Sequence, residues 1–467
     1  MIDLMISALV TGILLQIPGT PSIEWIAYYD DASYSEFLHC IETADGGFLA
    51  TGWDMADSGS CVTSIYKYSS EGELLWESGS SQFEGETGCW AEELPDSSLI
   101  VAGRCGLPQG NTVAILLYKT DSQGNELWSK AYDFPDSNET PHCVLPLSDG
   151  RLAVCGEIAP VQPGYTCSFV MVTDAQGDSL WTVTLDRNYA NRANRILEYQ
   201  NQLIVYVFSP MDTQGGGIRI LSLNSDSGEI LWETSGYPYE LNYGDLGGDM
   251  TLSTVEDGFT FVTASSPHIA HTDEYGTLEW YYELPYWSFP LGHSVNSTMD
   301  GGYIYGGENT PGWPPDGIQG GMVVKLDSQG TVQWVDFVYE ILNIQSIRQI
   351  STGGYIACGG EGPATLIRYE PETGIETAPP STAEITALSP VPFNGVLNVS
   401  YTLSDAAEVK FLVFDVAGRL IHSSPEGFLP AGEHNWVWNA AGQPSGCYLV
   451  RLQTGSQSSS RYCVLLE

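Results

Sequence analysis

Apolar and polar positions alternate in short runs along most of this chain, and the runs recur. DGGFLATG (45–52), DSSLIVAG (96–103), DGRLAVCG (149–156), QNQLIVYV (200–207), DGFTFVTA (257–264), DGGYIYGG (300–307) and TGGYIACG (352–359) each place a turn signal before a strand of apolar and small residues. A further strand follows, as in SIYKY (64–68), AILLYKT (114–120), FVMVT (169–173) and MVVKL (322–326), and runs into a second turn. That turn and the strand after it read DSQGNELW (121–128), DAQGDSLW (174–181), DEYGTLEW (273–280) and DSQGTVQW (327–334), with looser forms at 69–76 and 225–232. Trp25, Trp76, Trp128, Trp181, Trp232, Trp280 and Trp334 are, by subtraction, 51, 52, 53, 51, 48 and 54 residues apart. Short strands repeated with a period near fifty predict an all-β chain whose main body is a seven-bladed β-propeller.

The second turn has a local explanation. Its Asp can accept backbone N–H groups, and the Gly four residues before Trp supplies the left-handed backbone of a tight hairpin. A tryptophan held at a constant distance from that glycine always points the same way, suited to wedge between neighbouring sheets. The last unit ends at PETGIET (371–377) without a tryptophan, and Trp25 has no preceding unit. A strand near 23–28 is therefore expected to supply the outer strand of the seventh blade and shut the ring. Because the strands are antiparallel and sequential, both short turns of every unit fall on one face. The longer, variable connections fall on the other, where a scaffold places recognition. They carry Tyr237, Tyr239, Tyr243, Trp287 and Trp313, and aromatic loops with acidic and amide neighbours suit a sugar or a peptide.

Charge narrows the partners. Lys and Arg number 16 against 58 acidic residues, a net charge of -42, which repels nucleic acid and anionic membranes and suits solubility outside the cell. No cofactor is implied, although calcium could be drawn to such a surface. The apolar run LMISALVTGILL (4–15) has the length of a signal-peptide core, which predicts a signal peptide over 1–20 and no transmembrane segment in the mature chain. Among ten cysteines, Cys143 and Cys155, Cys89 and Cys105, and Cys447 and Cys463 flank hairpin turns almost symmetrically, which predicts three cross-strand disulfides. No Cys or His spacing suits zinc, so no metal ligand is assigned.

After Thr377 the composition changes at APPSTAE (378–384), so the propeller is bounded at 21–377 and a linker at 378–386. NVSYTL (398–403), VKFLVFD (409–415), HNWVWNA (434–440) and CYLVRLQ (447–453) alternate as strands, enough for a small immunoglobulin-like β-sandwich over 387–467. SPVPFNG (389–395), FDVAGR (414–419), LPAGEH (429–434), SGCYLVRL (445–452) and the terminal VLLE resemble the type A sorting domain of type IX secretion. The blade repeat, DGGYIYGG with MVVKLDSQGTVQW (322–334), resembles that of secreted bacterial propellers bearing such domains, and LSLNSDSGEILW (221–232) resembles a repeat of pyrroloquinoline-quinone dehydrogenases. The first resemblance implies export, the secretion machinery as a partner, and an extracellular or outer-membrane surface location.

No Gly-x-Ser-x-Gly elbow, phosphate-binding loop or HExxH motif is present, and His268 and His271 are spaced so that a strand would not converge them. No catalytic residue is assigned. The expected function is a secreted or surface-displayed propeller that binds a glycan, peptide or protein partner. The alternative is an extracellular glycosidase or quinone-dependent oxidoreductase with its site over the propeller channel.

Overall fold

A computed structural model of the chain describes residues 20–372 and 384–465, apart from 30–33, 56–60, 80–83, 108–111, 162–163, 186–190, 210–216, 235–236, 239–240, 242–247, 255–256, 264–267, 284–290, 310–319, 361, 390–392, 404–405, 416–419, 442, 444–445 and 455–456. The chain divides into two units, 1–373 and 374–467. The first contains seven four-stranded antiparallel sheets. In six of them the strands follow in chain order, as in blade 1 with Ser35–Glu42, Phe48–Met55, Cys61–Tyr68 and Leu74–Ser78. In blade 7 the outer position is taken by Ile23–Tyr29, which pairs antiparallel with Ala364–Tyr369 from Ile23 opposite Tyr369 to Tyr29 opposite Ala364. The ring is thus shut by the first strand of the chain, as the missing eighth tryptophan requires.

The first strand of each blade lies innermost. Ser35–Glu42, Glu84–Glu93, Ser137–Pro146, Arg192–Tyr199, Met250–Leu252, Leu291–Ser297 and Ile344–Gln349 each touch the next, and the last touches the first. Apolar core forms between blades: Ile100, Ala102 and Leu117 of blade 2 pack with Val154, Phe169 and Met171 of blade 3. The fourth strands of blades 1 and 4, Leu74–Ser78 and Ile230–Thr234, carry only exposed and half-buried positions, as expected of the rim.

The recurring octapeptide performs the two tasks its residues suggest. Asp121 Oδ1 accepts the N–H of Gln123 and of Asn125, each at 2.9 Å, and Gly124 has φ +81°. Asp174, Asp273 and Asp327 cap their own turns in the same way. Blade 4 departs from this, because its turn is one residue longer and Asn224 takes the cap, accepting from Asp226 and Ser227. Six of the seven repeat tryptophans lie on the turn glycine of the following blade: Trp25 on Gly72, Trp76 on Gly124, Trp128 on Gly177, Trp181 on Gly228, Trp232 on Gly276 and Trp280 on Gly330. A Cβ on Gly124 would stand 2.7 Å from the Trp76 ring, so the glycine is needed for the close approach as well as for its dihedral angle.

A register break recurs in the inner strands, between Phe37 and His39, Gly88 and Trp90, Pro141 and Cys143, Ala193 and Arg195, Gly292 and Ser294, and Ile344 and Ser346. The ladders also set which cysteines stand opposite one another. Cys143 stands directly opposite Cys155. Cys89 falls in the bulge between Gly88, which pairs with Gly103, and Trp90, which pairs with Ala102, so it does not oppose Cys105. Cys447 pairs with Val464 and Cys463 with Tyr448, a one-residue offset that symmetrical counting from the turn could not detect.

The second unit is a sandwich of a three-stranded sheet, Glu384–Ser389, Val396–Leu403 and Gly432–Asn439, and a four-stranded sheet, Leu420–Leu429, Ala407–Asp415, Gly446–Thr454 and Gln457–Leu465. Phe411 and Trp436 stack at 4.2 Å in its core, Tyr401 lies edge-on to Phe411, and Trp438 lies edge-on to Tyr448 in the same cluster. Residues 1–19, which include the apolar run, lie outside the described residues.

Candidate functional site: the ring centre and the connector face

Inner strands bring together a polar cluster that no single repeat announces. Trp90 of blade 2 is stacked against His39 of blade 1, with ring centroids 3.7 Å apart. The Arg195 guanidinium of blade 4 lies 4.3 Å from the Trp90 centroid, and that of Arg348 from blade 7 lies at 5.5 Å. Glu92 Oε1 accepts Trp90 Nε1 at 2.9 Å and Arg348 Nη2 at 3.0 Å. Arg348 Nη2 also stands 2.8 Å from His39 Nε2. Since Arg can only donate, His39 Nε2 accepts, and the neutral ring carries its proton on Nδ1. The 3.4 Å approach of Ala91 N–H to Nδ1 is then a contact and not a bond. Burial, Arg348 and Arg195 all hold His39 well below the usual histidine range, so it stays neutral at physiological pH.

Arg195 reaches further round the ring. Its Nε donates to Met250 O at 3.3 Å and faces Asp249 Oδ1 at 3.5 Å, while Nη1 lies 3.5 Å from Cys143 Sγ. Asp249 also accepts Met250 N–H at 2.8 Å and Val295 N–H at 3.0 Å. Burial pushes the Asp249 carboxyl upward against the opposing pull of Arg195 and these N–H groups. One arginine therefore ties blades 2, 3, 4 and 5 together across the centre. Its chemistry is that of a plug whose charges answer one another, with Glu92 and Arg348 about a fifth exposed at one side.

Side chains of one blade also reach the backbone of the next. His142 Nδ1 lies 3.2 Å from Ala193 O, and Asn194 Nδ2 donates to Gly248 O at 3.2 Å. Toward the short turns a carboxylate or amide at the end of an inner strand caps the preceding blade. Glu93 accepts Ala44 N–H, Glu198 accepts Ser148 N–H, Glu42 accepts Ser351 N–H, and Gln349 accepts Met299 N–H. The signal was in the sequence, an acid or amide three residues before the turn position at 45, 96 and 352, but 58 acidic residues hide it. A cleft of about 350 Å³ opens beside one clamp, lined by Thr43, Asp45, Lys67, Glu93 and Gln123, with Lys67 paired to Asp45 at 2.7 Å.

Near the connector face, Glu139 is buried, accepts Ser137 Oγ at 2.6 Å, and has no partner for Oε2 among the described residues. Burial raises its carboxyl to about 7. A folded value above the unfolded one means stability that is present below the unfolded value, ~4.3, and is lost as pH rises through about 7. Glu139→Gln should match wild type in urea unfolding at pH 4 and exceed it by about 1–2 kcal/mol at pH 8, allowing for screening. Equal stability at both pH values would remove the assignment.

Of the aromatic residues expected on the connector face, Tyr237 is the one within the described residues. It is 8% exposed, packs edge-on against Phe261, and donates its hydroxyl to Gly276 O at 2.7 Å. Burial raises it to about 12. It therefore seals the seam between blades 4 and 5, as Tyr132 does with Gly177 O between blades 2 and 3. Tyr239, Tyr243, Trp287 and Trp313 lie outside the described residues. His268 and His271 have separate surroundings, the first beside Tyr281 and the second bonded to Thr260 Oγ1 and stacked on Trp280. Among the described residues no three His, Cys, Asp or Glu side chains converge as a metal site.

Solved structures similar to this chain are β-propellers and related folds. The WD40 β-propeller domain of Doa1 is 11% identical and aligns over 76% of this chain and 98% of its own, with a TM-score of 0.47. The GH93 α-L-arabinofuranosidase of Fusarium graminearum with arabinobiose is 11% identical over 61% and 93%, with a TM-score of 0.46. The Penicillium chrysogenum α-L-arabinanase complexed with arabinobiose is 15% identical over 61% and 93%, with a TM-score of 0.40. No curated protein matches in sequence. Residues 387–465 match the secretion system C-terminal sorting domain, the segment whose landmarks resembled that domain in sequence. This chain is therefore a seven-bladed propeller carrying a type IX sorting domain, which interacts with the secretion machinery and directs export to the extracellular space or the cell surface.

Proposed function

We propose that the exported propeller is a binding module whose ligand docks on the connector face in the sector of blades 4 to 6. Connector length carries this reading. Between Thr234 and Met250 lie 15 residues (235–249), and between Asn309 and Gly320 lie 10 (310–319). The corresponding connectors of blades 1 to 3 have only four to six, as between Tyr132 and Ser137 or between Gly106 and Val113. Extra chain concentrated in one sector, on the side away from the Asp-capped turns, is where a rigid scaffold can afford variation. The long connectors bring Tyr239, Tyr243, Trp287 and Trp313, whose rings suit the apolar faces of sugars or the side chains of a peptide. A net charge of -42 favours an uncharged glycan or a cationic peptide over an anionic polymer.

The test is a glycan and peptide array probed with the full chain, beside hydrolase and dehydrogenase screens of the same preparation. Binding of a neutral glycan or basic peptide is expected, weakened at least tenfold by Trp287→Ala with Trp313→Ala while the melting temperature is kept. Turnover abolished by changing one carboxylate of the ring centre would replace this reading with the enzymatic one.

A further inference from the structure

Cys40 and Cys358 were not among the pairs suggested by counting from hairpin turns, because they are 318 residues apart and belong to different blades. Cys40 sits on the inner strand of blade 1 and Cys358 on the second strand of blade 7. Both are fully buried in one apolar cluster with Phe37, Ala50, Ile356 and Leu366, which spans the seam where the ring closes. Cys40 Sγ lies 3.8 Å from Ser346 O and 3.8 Å from Ile356 O. Ser346 is the ladder partner of Cys358, and Ile356 is two residues before it on the same strand face. The Cys40 sulfur is therefore bracketed by the two carbonyls that flank Cys358, and burial together with the adjoining Cys40 pushes the Cys358 thiol well above its usual range. We infer that Cys40 and Cys358 form a disulfide in the exported protein and so lock blade 1 to blade 7 covalently.

The environment favours the chemistry. The chain is destined for the exterior, and disulfides form and persist in the oxidising surroundings of extracellular proteins. The oxidant is a protein or small-molecule disulfide. One thiolate of the pair attacks it, forming a mixed disulfide and releasing one sulfur as a thiol. The second thiolate then attacks the protein sulfur and releases the other, so two electrons and two protons pass to the oxidant and one S–S bond forms in the propeller. Closing so long a loop restricts the unfolded chain strongly, and in this fold the loop is the whole ring. Cys143 and Cys155, facing each other within blade 3, can undergo the same reaction, but their bond would staple a hairpin and not the ring.

The decisive experiment is peptide mapping of the full chain recovered from the exported fraction, alkylated in denaturant without reductant. The expected result is a cross-linked peptide joining Cys40 to Cys358, with neither alkylated, and a melting temperature that drops by several degrees on reduction. Cys40→Ser and Cys358→Ser should each melt like the reduced wild type and lose most of the response to reductant, while Cys143→Ser keeps it. Should a serine variant fail to accumulate, the map of the wild-type protein still decides. Alkylation of both Cys40 and Cys358, or linkage of either to a different cysteine, would overturn the inference.

Discussion

Deleting residues 20–29 is expected to leave the propeller unable to close. Ile23–Tyr29 supplies the outer strand of blade 7, and its loss uncovers the whole edge of Ala364–Tyr369. It also removes Trp25 from Gly72, the Trp25 Nε1 bond to Ser70 O at 3.1 Å, the Tyr29 hydroxyl bond to Glu77 at 2.9 Å and the Glu24–Arg368 pair at 3.0 Å. Ser22 is bonded to Glu370 at the same seam. At 1.5–3 kcal/mol for each large side chain withdrawn from water, Ile23, Trp25, Ile26 and Tyr29 together contribute about 6–12 kcal/mol as an upper estimate. That is comparable to the whole stability of a typical domain. The truncated chain should show a large fall in melting temperature, a longer hydrodynamic radius by size-exclusion chromatography, and binding of a hydrophobic dye. An unchanged melt and elution would mean that the ring holds together without its first strand.

Arg195→Met should produce the next largest loss. Met fills much of the stem volume but leaves the Asp249 carboxylate buried without its cation and one face of Trp90 without the guanidinium. Breaking one partner of a buried pair costs about 3–5 kcal/mol. The sign with pH follows from Asp249. Burial already raises its carboxyl, and removing Arg195 raises it further, so the folded variant holds a proton that the unfolded chain releases. The deficit should therefore be small near pH 4 and grow as pH rises through the raised value. Adding Asp249→Asn should recover much of the loss at pH 8 and flatten the pH dependence. A single variant within about 1 kcal/mol of wild type at both pH values would show that the central plug is not held by this pair.

What could be read from sequence and what could not divide along a physical line. Asp121 and Gly124 were legible because their work is done within one turn, Trp128 because it recurs four positions after that glycine, and the absence of a tryptophan after Pro371 was enough to identify the closing strand. The central cluster was not legible. His39, Trp90, Arg195, Asp249 and Arg348 come from five blades, and each looks like an isolated polar residue in an otherwise ordinary strand. The register of the cysteines was hidden for a narrower reason, since one bulged residue at Cys89 and one offset at Cys447 depart from a symmetry that holds at Cys143. Tyr237 shows the same limit from another side. Its connector is long, but its hydroxyl answers to Gly276 of the next blade, and that pairing exists only once the ring is assembled.

The closing register also fixes an order of events in time. The strand Ile23–Tyr29 is made before all seven blades it helps to close, yet its partner Ala364–Tyr369 begins 335 residues later, counting from 29 to 364. At roughly 5–20 residues per second of synthesis, the earliest strand waits on the order of 15–70 s for its place in the sheet. Six blades can form in that interval, but no ring can. A partly emerged chain is therefore always an open arc with two raw ends, and the folded propeller comes into existence only when its last blade is released, just ahead of the sorting domain.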